Sequence, residues 1–164
     1  MKIFADKNIL AVEDNFSRHG ELHFFDGRSV SHEDLIDADA LLVRSITSID
    51  ESLIGGTKIR FVGTATSGID HVDTAYLRNA GIHFVDAKGS NANAVVDYCF
   101  AALAFATLHR GFSLTASRVG IVGAGAVGGL FATKLEELCV EVRCYDPFLA
   151  VTAQGNRKYT SLEA

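Results

Sequence analysis

Cysteine is scarce in this sequence, and its distribution excludes two kinds of stabilising site. The 164-residue chain contains three cysteines, Cys99, Cys139 and Cys144. Their number is odd and no pair has the Cys-x-x-Cys spacing, so neither a disulfide framework nor a zinc site is expected. We therefore predict that the chain holds no metal and belongs to a reducing compartment, the cytoplasm.

Other absences narrow the class of partner. The net charge is −5 and the chain has no basic cluster, which argues against nucleic acid or an acidic membrane surface as partner. The first residues reach an acid at Asp6, unlike a secretory signal peptide. The apolar stretch 92–108 contains Asn93 and Asp97, so we predict a buried helix there and not a membrane span.

Apolar runs and helical segments alternate along the chain, which predicts parallel strands in an α/β fold. The loop-rich stretch 87–91 separates two units, residues 1–90 and residues 91–164, and the second unit contains only two strands. The predicted strands are 3–5, 21–25, 40–43, 61–64, 82–85, 118–122 and 141–145, and the predicted helices are 9–19, 31–38, 50–54, 72–79, 92–109 and 127–138, with the start of another at 161–163.

The clearest motif is Gly-x-Gly-x-x-Gly at Gly123, Gly125 and Gly128. It follows the strand 118–122 and opens a helix, and Asp146 comes directly after the next strand, a context typical of a dinucleotide-binding turn. The first glycine allows the tight turn and the second lets the backbone approach a pyrophosphate. The third lets helix and strand pack closely. The alternative is a glycine-rich turn that binds nothing.

Two further features favour NAD as the ligand of this turn. The backbone N–H groups of Ala126 and Val127 lie in the first turn of the helix, where they are free to bind phosphates. Asp146 can accept hydrogen bonds from ribose hydroxyls and would repel a 2′-phosphate, which favours NAD over NADP. Read alone, Asp146 is also compatible with a solvated acid at a strand end.

In the first unit, polar residues follow two of the predicted strands, where open α/β sheets bind ligands. Arg44 is a fixed cation that can hold a phosphate or carboxylate, and Ser45 and Thr66 supply hydroxyls. The alternatives are a surface arginine and a serine that serves only the turn. His71 has no evident orienting carboxylate, so we assign it a structural or exposed role.

Several stretches resemble the D-isomer-specific 2-hydroxyacid dehydrogenase family. The most specific is Gly-Thr-Ala-Thr-Ser-Gly-Ile-Asp-His-Val-Asp at 63–73, and the likeness continues through 38–45, 91–98 and 111–114. It implies a flavodoxin-like parallel-sheet substrate domain at 1–90. An interdomain helix and the first part of a Rossmann NAD-binding domain follow at 91–164.

The resemblance also implies ligands and partners. It implies NAD as cofactor, contacted by Asp146 and the Ala126-Val127 turn, and a small phosphorylated 2-hydroxy acid as substrate, contacted by Ser45 and Thr66. Arg44 is our own addition to the substrate contacts. Full-length members of the family are usually homodimers.

The family's catalytic histidine, its orienting carboxylate and its arginine lie on later strands and loops, so no catalytic residue is assigned in this chain. We expect the chain alone to be inactive and marginally stable, because two parallel strands bury little apolar surface and leave strand 118–122 with an unpaired edge. Two alternatives stay open. One is a truncated, non-catalytic NAD-binding or interaction module, and the other is a different phosphorylated 2-hydroxyacid dehydrogenase, such as a 3-phosphoglycerate dehydrogenase.

Overall fold

The computed structural model describes residues 1–149 and the backbone of 158–159, and it divides into two compact units, Met1–Lys88 and Gly89–Ala164. The first unit alternates strands and short helices. Its elements are β1 (Lys2–Asp6), α1 (Val12–Phe16), a 3₁₀ turn (Ser17–His19), β2 (Glu21–Phe25), α2 (His32–Leu35), β3 (Ala40–Val43), α3 (Glu51–Ile54), β4 (Phe61–Thr64), α4 (Thr74–Asn79) and β5 (His83–Val85).

The five strands form one parallel sheet in the order β2-β1-β3-β4-β5. This is the strand order of flavodoxin-like folds, as the family resemblance implies. The chain crosses from β1 to β2 on one side and then returns to β3 on the other side. The order therefore reverses between β1 and β3, where such sheets bind their ligands.

Alternation along β3 divides the core of this unit between the two faces of the sheet. Leu41 and Val43 are fully buried in a cluster with residues of α2, α3 and α4. Ala40 and Leu42 point to the opposite face, where they pack with Ile3 of β1. A strand covered on both faces is apolar throughout, and for that reason residues 40–43 are recognisable in the sequence.

The helices of the first unit are shorter than predicted, because a backbone angle or a local hydrogen bond fixes where each of them begins. The helix predicted at 9–19 begins only at Val12, since Ala11 has a left-handed backbone with φ of 55°. Ser31 and Asp34 form a capping box that starts α2. Asp73 caps α4 by accepting a hydrogen bond from the Tyr76 N–H at 2.8 Å.

The second unit contains α5 (Ala92–Arg110), β6 (Arg118–Val122), α6 (Ala126–Glu137), β7 (Glu141–Tyr145) and β8 (Lys158–Tyr159). The strands are parallel in the order β6-β7-β8, so the prediction of only two strands is wrong. A two-residue strand is too short to show a periodicity in the sequence. Within residues 1–149 and 158–159, β6 is paired on one side only. The helix start predicted at 161–163 lies outside the described residues.

The prediction that the long helix is buried is also wrong. Only Ala92 and Val96 of α5 are buried, whereas Tyr98, Phe105 and Leu108 are 75, 62 and 82% exposed. Apolar residues occur on all sides of this helix, so packing against α6 covers only part of its surface. By length and composition alone α5 is also long and apolar enough to cross a membrane. This is weak evidence for a membrane span, because helices of soluble proteins meet the same criteria.

The core of the first unit can be tested with two leucines of opposite exposure. Leu41 is 0% exposed and Leu10 is 90% exposed. We expect Leu41→Ala to lower the free energy of unfolding by about 2–5 kcal/mol through lost burial and a cavity. Leu10→Ala, the control, should change it by less than about 0.5 kcal/mol. Urea unfolding followed by circular dichroism measures both, and equal effects would contradict this core.

Candidate substrate and nucleotide sites

The carboxyl ends of β1 and β3 flank the point where the strand order reverses in the first sheet. Asp6 ends β1 and Arg44 follows β3. Arg44 Nη2 lies 3.1 Å from Asp6 Oδ2, and the Arg44 side chain is 31% exposed whereas that of Asp6 is fully buried. The arginine proposed from the sequence as a phosphate clamp is therefore already paired with a carboxylate of its own chain.

Asp6 stays charged in this buried position. Burial opposes ionisation of its carboxyl group, but hydrogen bonds from the Asn8 backbone and the nearby Arg44 guanidinium outweigh that effect and lower the pKa of Asp6. Asp6 Oδ1 accepts the Asn8 backbone N–H at 2.8 Å and the Asn8 side-chain amide at 3.2 Å. A buried charge is tolerable only with such partners.

Backbone segments of the same chain, at Gly27 and Thr47, are packed closely around this ion pair. A Cβ atom at Gly27 would lie 2.4 Å from Asp6 Oδ2 and 2.6 Å from Thr47 Oγ1, so the position has no room for a side chain. The Thr47 hydroxyl, which is buried, donates to the Gly27 carbonyl at 3.0 Å. The Thr47 N–H in turn donates to the Arg44 carbonyl at 3.2 Å and closes the turn that carries Ser45.

Ser45 and Thr66 lie at the same edge of the sheet. Val43 and Thr64 are paired in register on β3 and β4, and the Ala65 N–H donates to the Val43 carbonyl at 2.9 Å. Ser45 lies two positions after Val43, and Thr66 lies two positions after Thr64. Ser45 is exposed and Thr66 is half-buried, so both hydroxyls can be reached from the carboxyl edge.

Thr66 also belongs to a chain of hydrogen bonds within the loop that follows β4. Its Oγ1 lies 2.8 Å from Thr64 Oγ1, which lies 3.0 Å from His71 Nε2. The Thr66 hydroxyl donates to the Gly68 carbonyl at 3.2 Å. Burial lowers the pKa of His71, against a smaller opposite effect of Asp70, so the ring is neutral at neutral pH.

Sequence reasoning missed the roles of Asp6, Gly27 and Thr64. A charged residue that ends an otherwise apolar strand is a usable signal for Asp6, because such a residue needs a partner when buried. The partner itself could not be read from the sequence. Among the described residues, no group of three or more His, Cys, Asp or Glu side chains is placed to hold a metal ion.

In the second unit, the glycine turn has the geometry of a close approach between strand and helix. A Cβ at Gly128 would lie 1.9 Å from the Gly123 carbonyl oxygen, so only glycine fits there. Gly123 itself has φ of 88°, a left-handed conformation that favours glycine. A Cβ at Gly125, by contrast, would meet nothing within 4 Å, so that backbone faces open space.

The N-terminus of α6 leaves donors available beside this open space. The first hydrogen bond from the helix back to the turn runs from the Gly129 N–H to the Gly125 carbonyl, at 2.8 Å. The N–H groups of Ala126 and Val127 precede it and lack acceptors within the helix, as helix geometry requires. An anion placed beside Gly125 would be close to both donors.

Asp146 connects the end of β7 to the glycine turn. Its Oδ2 accepts the Ala124 N–H at 2.8 Å and its Oδ1 accepts the Phe148 N–H at 2.9 Å. These backbone hydrogen bonds, that of Phe148 first, lower the pKa of Asp146 and keep it ionised. A carboxylate offers about four acceptor positions, so a half-buried Asp146 retains capacity for a diol.

Comparison with protein families identifies the fold and the family. Residues 3–161 match the family model described as D-isomer specific 2-hydroxyacid dehydrogenase, catalytic domain. The chain belongs to this family. Its parallel α/β sheets agree with the dehydrogenases of known structure described below, so the fold class implied by the sequence resemblance is confirmed.

Relatives with a named activity are similar over most of this dehydrogenase-family chain. The erythronate-4-phosphate dehydrogenase of Cellvibrio japonicus (strain Ueda107) is 46% identical over 163 residues, which are 99% of this chain and 42% of the relative. That of Salmonella paratyphi B is 50% identical over 147 residues, 90% of this chain and 39% of the relative. The chain thus spans about two fifths of the length of these relatives.

Solved structures of dehydrogenases share the fold at lower sequence identity. The NAD⁺-bound 3-phosphoglycerate dehydrogenase of Entamoeba histolytica has a TM-score of 0.72 at 24% identity, covering 96% of this chain and 57% of that one. D-2-hydroxyisocaproate dehydrogenase has a TM-score of 0.74 at 19% identity, covering 99% and 58%. At these identities the likeness establishes the fold alone.

The buried ion pair can be tested against an exposed one in the same unit. Asp26 and Lys7 are 2.8 Å apart, closer than Asp6 and Arg44, but both members of the Asp26–Lys7 pair are exposed to solvent. We expect Asp6→Asn to lower the free energy of unfolding by about 3–5 kcal/mol, because it leaves Arg44 without its counter-charge. Asp26→Asn, the control, should leave the urea midpoint nearly unchanged.

The charge of Asp6 also makes the free energy of unfolding depend on pH. Because the folded-state pKa of Asp6 is lowered, its stabilisation is complete above the unfolded pKa of about 3.9 and is lost as the pH falls through the folded value. The Asp6→Asn variant should therefore lose less stability between neutral and strongly acidic pH than the parent chain. An equally steep loss in both proteins would contradict a charged Asp6.

Proposed function

We propose that the protein containing this chain oxidises 4-phospho-D-erythronate to the 2-oxo acid with NAD, a step in the synthesis of pyridoxal 5′-phosphate. The observation that carries the proposal is the 46–50% identity to erythronate-4-phosphate dehydrogenases over nearly the whole chain. On the same resemblance, we propose that the complete protein is a cytoplasmic homodimer.

The substrate binds at the carboxyl edge of the first sheet in this proposal. Ser45 and Thr66 contribute hydroxyls on adjacent strands, and Arg44 contributes the guanidinium donors that Asp6 does not use. Because Asp6 cancels the net charge of Arg44, recognition of the phosphorylated acid depends on directed hydrogen bonds more than on a positive field. An anion at this edge gains from donors already held in place.

NAD binds in this proposal at the turn formed by Gly123, Gly125, Gly128, Ala126 and Val127, with Asp146 beside it. The space next to Gly125 admits a pyrophosphate, which the free N–H groups of the helix start can bind. Asp146 accepts hydrogen bonds from the ribose hydroxyls with its remaining lone pairs. When bound, NAD supplies the acceptor for the hydride that leaves the substrate.

Proton transfer is not assigned to any residue of this chain. The chain spans about two fifths of its relatives, and the resemblance assigns the catalytic histidine, its carboxylate and the substrate arginine to later segments of the fold. Residues 1–164 therefore bind and orient the two reactants in this proposal, and the remainder of the protein carries out the chemistry.

An assay of the protein expressed from the complete open reading frame tests the activity. We expect NADH formation with 4-phospho-D-erythronate and a kcat/KM at least about a hundredfold lower with 3-phospho-D-glycerate, because contacts to one substrate leave polar groups unpaired with another. Preference for 3-phosphoglycerate would favour the other phosphorylated 2-hydroxyacid dehydrogenase. NAD binding without turnover on either acid would favour the non-catalytic module.

Two glycine substitutions separate binding of NAD from folding. Gly125 has φ of −70° and open space around it, so Gly125→Ala should fold normally but obstruct the pyrophosphate. We expect its Kd for NAD, measured by calorimetry, to rise at least about tenfold, since the phosphate loses contact with the backbone. Gly120→Ala, also in open space but within β6, is the matched control and should leave the Kd unchanged. Equal Kd values for both variants would contradict the proposed nucleotide site.

A further inference from the structure

The function proposed above uses the Thr66 hydroxyl but gives no part to Thr64 and His71, which are linked to it by hydrogen bonds. Thr64 is 4% exposed, and among the described residues its hydroxyl has two partners, His71 Nε2 at 3.0 Å and Thr66 Oγ1 at 2.8 Å. A buried hydroxyl proton needs an acceptor. The Thr64 proton therefore points to one of these two atoms.

Counting protons links the tautomer of His71 to the direction of the whole chain. Each threonine hydroxyl has one proton to donate. If His71 carries its proton on Nδ1, Nε2 accepts from Thr64, and Thr66 must donate to Thr64. Thr66 then has no proton for Gly68 or for a ligand.

The opposite tautomer gives a consistent set of bonds. If His71 carries its proton on Nε2, that N–H donates to Thr64, Thr64 donates to Thr66, and Thr66 donates to the Gly68 carbonyl. Each of the three contacts in this chain is then a hydrogen bond with its own proton. The last bond, at 3.2 Å, is the longest of the three, so the Thr66 proton is the one most easily redirected to a ligand.

We propose that His71 is a positioning residue whose Nε2–H directs the Thr64 and Thr66 hydroxyls, so that Thr66 donates a hydrogen bond to an anionic oxygen of the substrate. This inference rests on the proposed function in one respect, the contact between Thr66 and the phosphorylated acid. Phosphate and carboxylate oxygens are acceptors, so a Thr66 hydroxyl that had to donate to Thr64 would present only its lone pairs to them.

The backbone holds His71 firmly enough for this role. Its carbonyl accepts the Ile49 N–H at 2.7 Å, and the Asp73 N–H donates to the Ile49 carbonyl at 2.8 Å. These bonds flank an isolated parallel bridge between Ile49 and Val72. The loop after β4 is therefore tied to the chain that follows β3, and the ring of His71 is fixed beside Thr64. Burial also keeps that ring neutral, so the tautomer is a meaningful choice.

Paired substitutions in the complete enzyme test this relay, the hydrogen-bond chain that runs from His71 through Thr64 to Thr66. Thr64→Val removes the neighbour of Thr66, and His71→Leu removes the donor that starts the chain. Thr66 keeps its proton in both variants but is held less firmly, so we expect each to raise the KM for the phosphorylated acid about threefold, within the range of one ordinary hydrogen bond. The kcat and the KM for NAD should change by less than about twofold, because the relay touches only the bound acid. Thr64→Ser and His71→Gln keep a hydroxyl and an amide donor, so they should restore most of the affinity.

A second measurement reads the tautomer directly. Long-range proton–nitrogen correlation spectra of ¹⁵N-histidine-labelled enzyme distinguish Nε2–H from Nδ1–H in neutral imidazole. Nε2–H at His71 is the expected result, and Nδ1–H would overturn the proposal. So would equal KM values for His71→Leu and His71→Gln, because a purely structural role gives no rescue through a donor.

Thr66→Ala separates failure of the relay from failure of the proposed function. If Thr66→Ala leaves the KM for the acid unchanged, Thr66 does not contact the substrate and the proposed site is wrong, and the relay with it. If Thr66→Ala raises the KM but Thr64→Val and His71→Leu do not, the substrate contact stands and the relay alone is overturned.

Discussion

The buried carboxylate of Asp6 is the constraint on which the carboxyl edge of the first sheet depends. With no access to water, its charge requires the guanidinium of Arg44, which lies on the far side of the strand-order reversal. That pairing fixes the start of the turn after β3, and Asp6 together with Thr47 leaves no room for a side chain at Gly27, whose carbonyl accepts the Thr47 hydroxyl. The exposed Ser45 lies in a turn that is held by the Arg44 ion pair and closed by the hydrogen bond from the Thr47 N–H to the Arg44 carbonyl.

Sequence patterns predicted the strands of this chain well and the helix ends poorly, for physical reasons. The parallel strands are short runs rich in apolar residues, whether or not they are fully buried, and β2, β3, β4, β6 and β7 occupy the predicted ranges without a shift. Helix ends depend instead on single hydrogen bonds and on backbone angles such as that of Ala11, which no periodicity encodes. Helix α5 shows a further limit of prediction from sequence, because composition predicts an apolar helix but not which surface covers it.

The candidate sites divide in the same way. Residues that follow a strand could be placed from sequence, because parallel strands bring their carboxyl ends to one edge, and Ser45 and Thr66 do share that edge. The partners of Arg44 and Thr64 could not be predicted, since their contacts join segments whose relative positions only the folded sheet defines. Arg44 shows the consequence, because a free cation in the sequence is one half of an ion pair in the structure.

Strand-end aspartates recur at the carboxyl ends of both sheets, and they differ in how much acceptor capacity their carboxylates leave for a ligand. Asp6, Asp26, Asp86 and Asp146 each accept the backbone N–H of the residue two positions later, a local turn that ends the strand. What distinguishes them is how the other carboxylate oxygen is used.

The second oxygen of Asp6 is enclosed and pairs with a cation, so nothing remains for a ligand. The second oxygen of Asp146 accepts one N–H from the glycine turn, and its side chain is only half-buried. Since a carboxylate has about four acceptor positions, Asp146 can hold the turn and a ribose at the same time. Its structural hydrogen bonds thus favour a ligand-binding role, because they fix the carboxylate beside the free N–H groups of α6 before any nucleotide arrives.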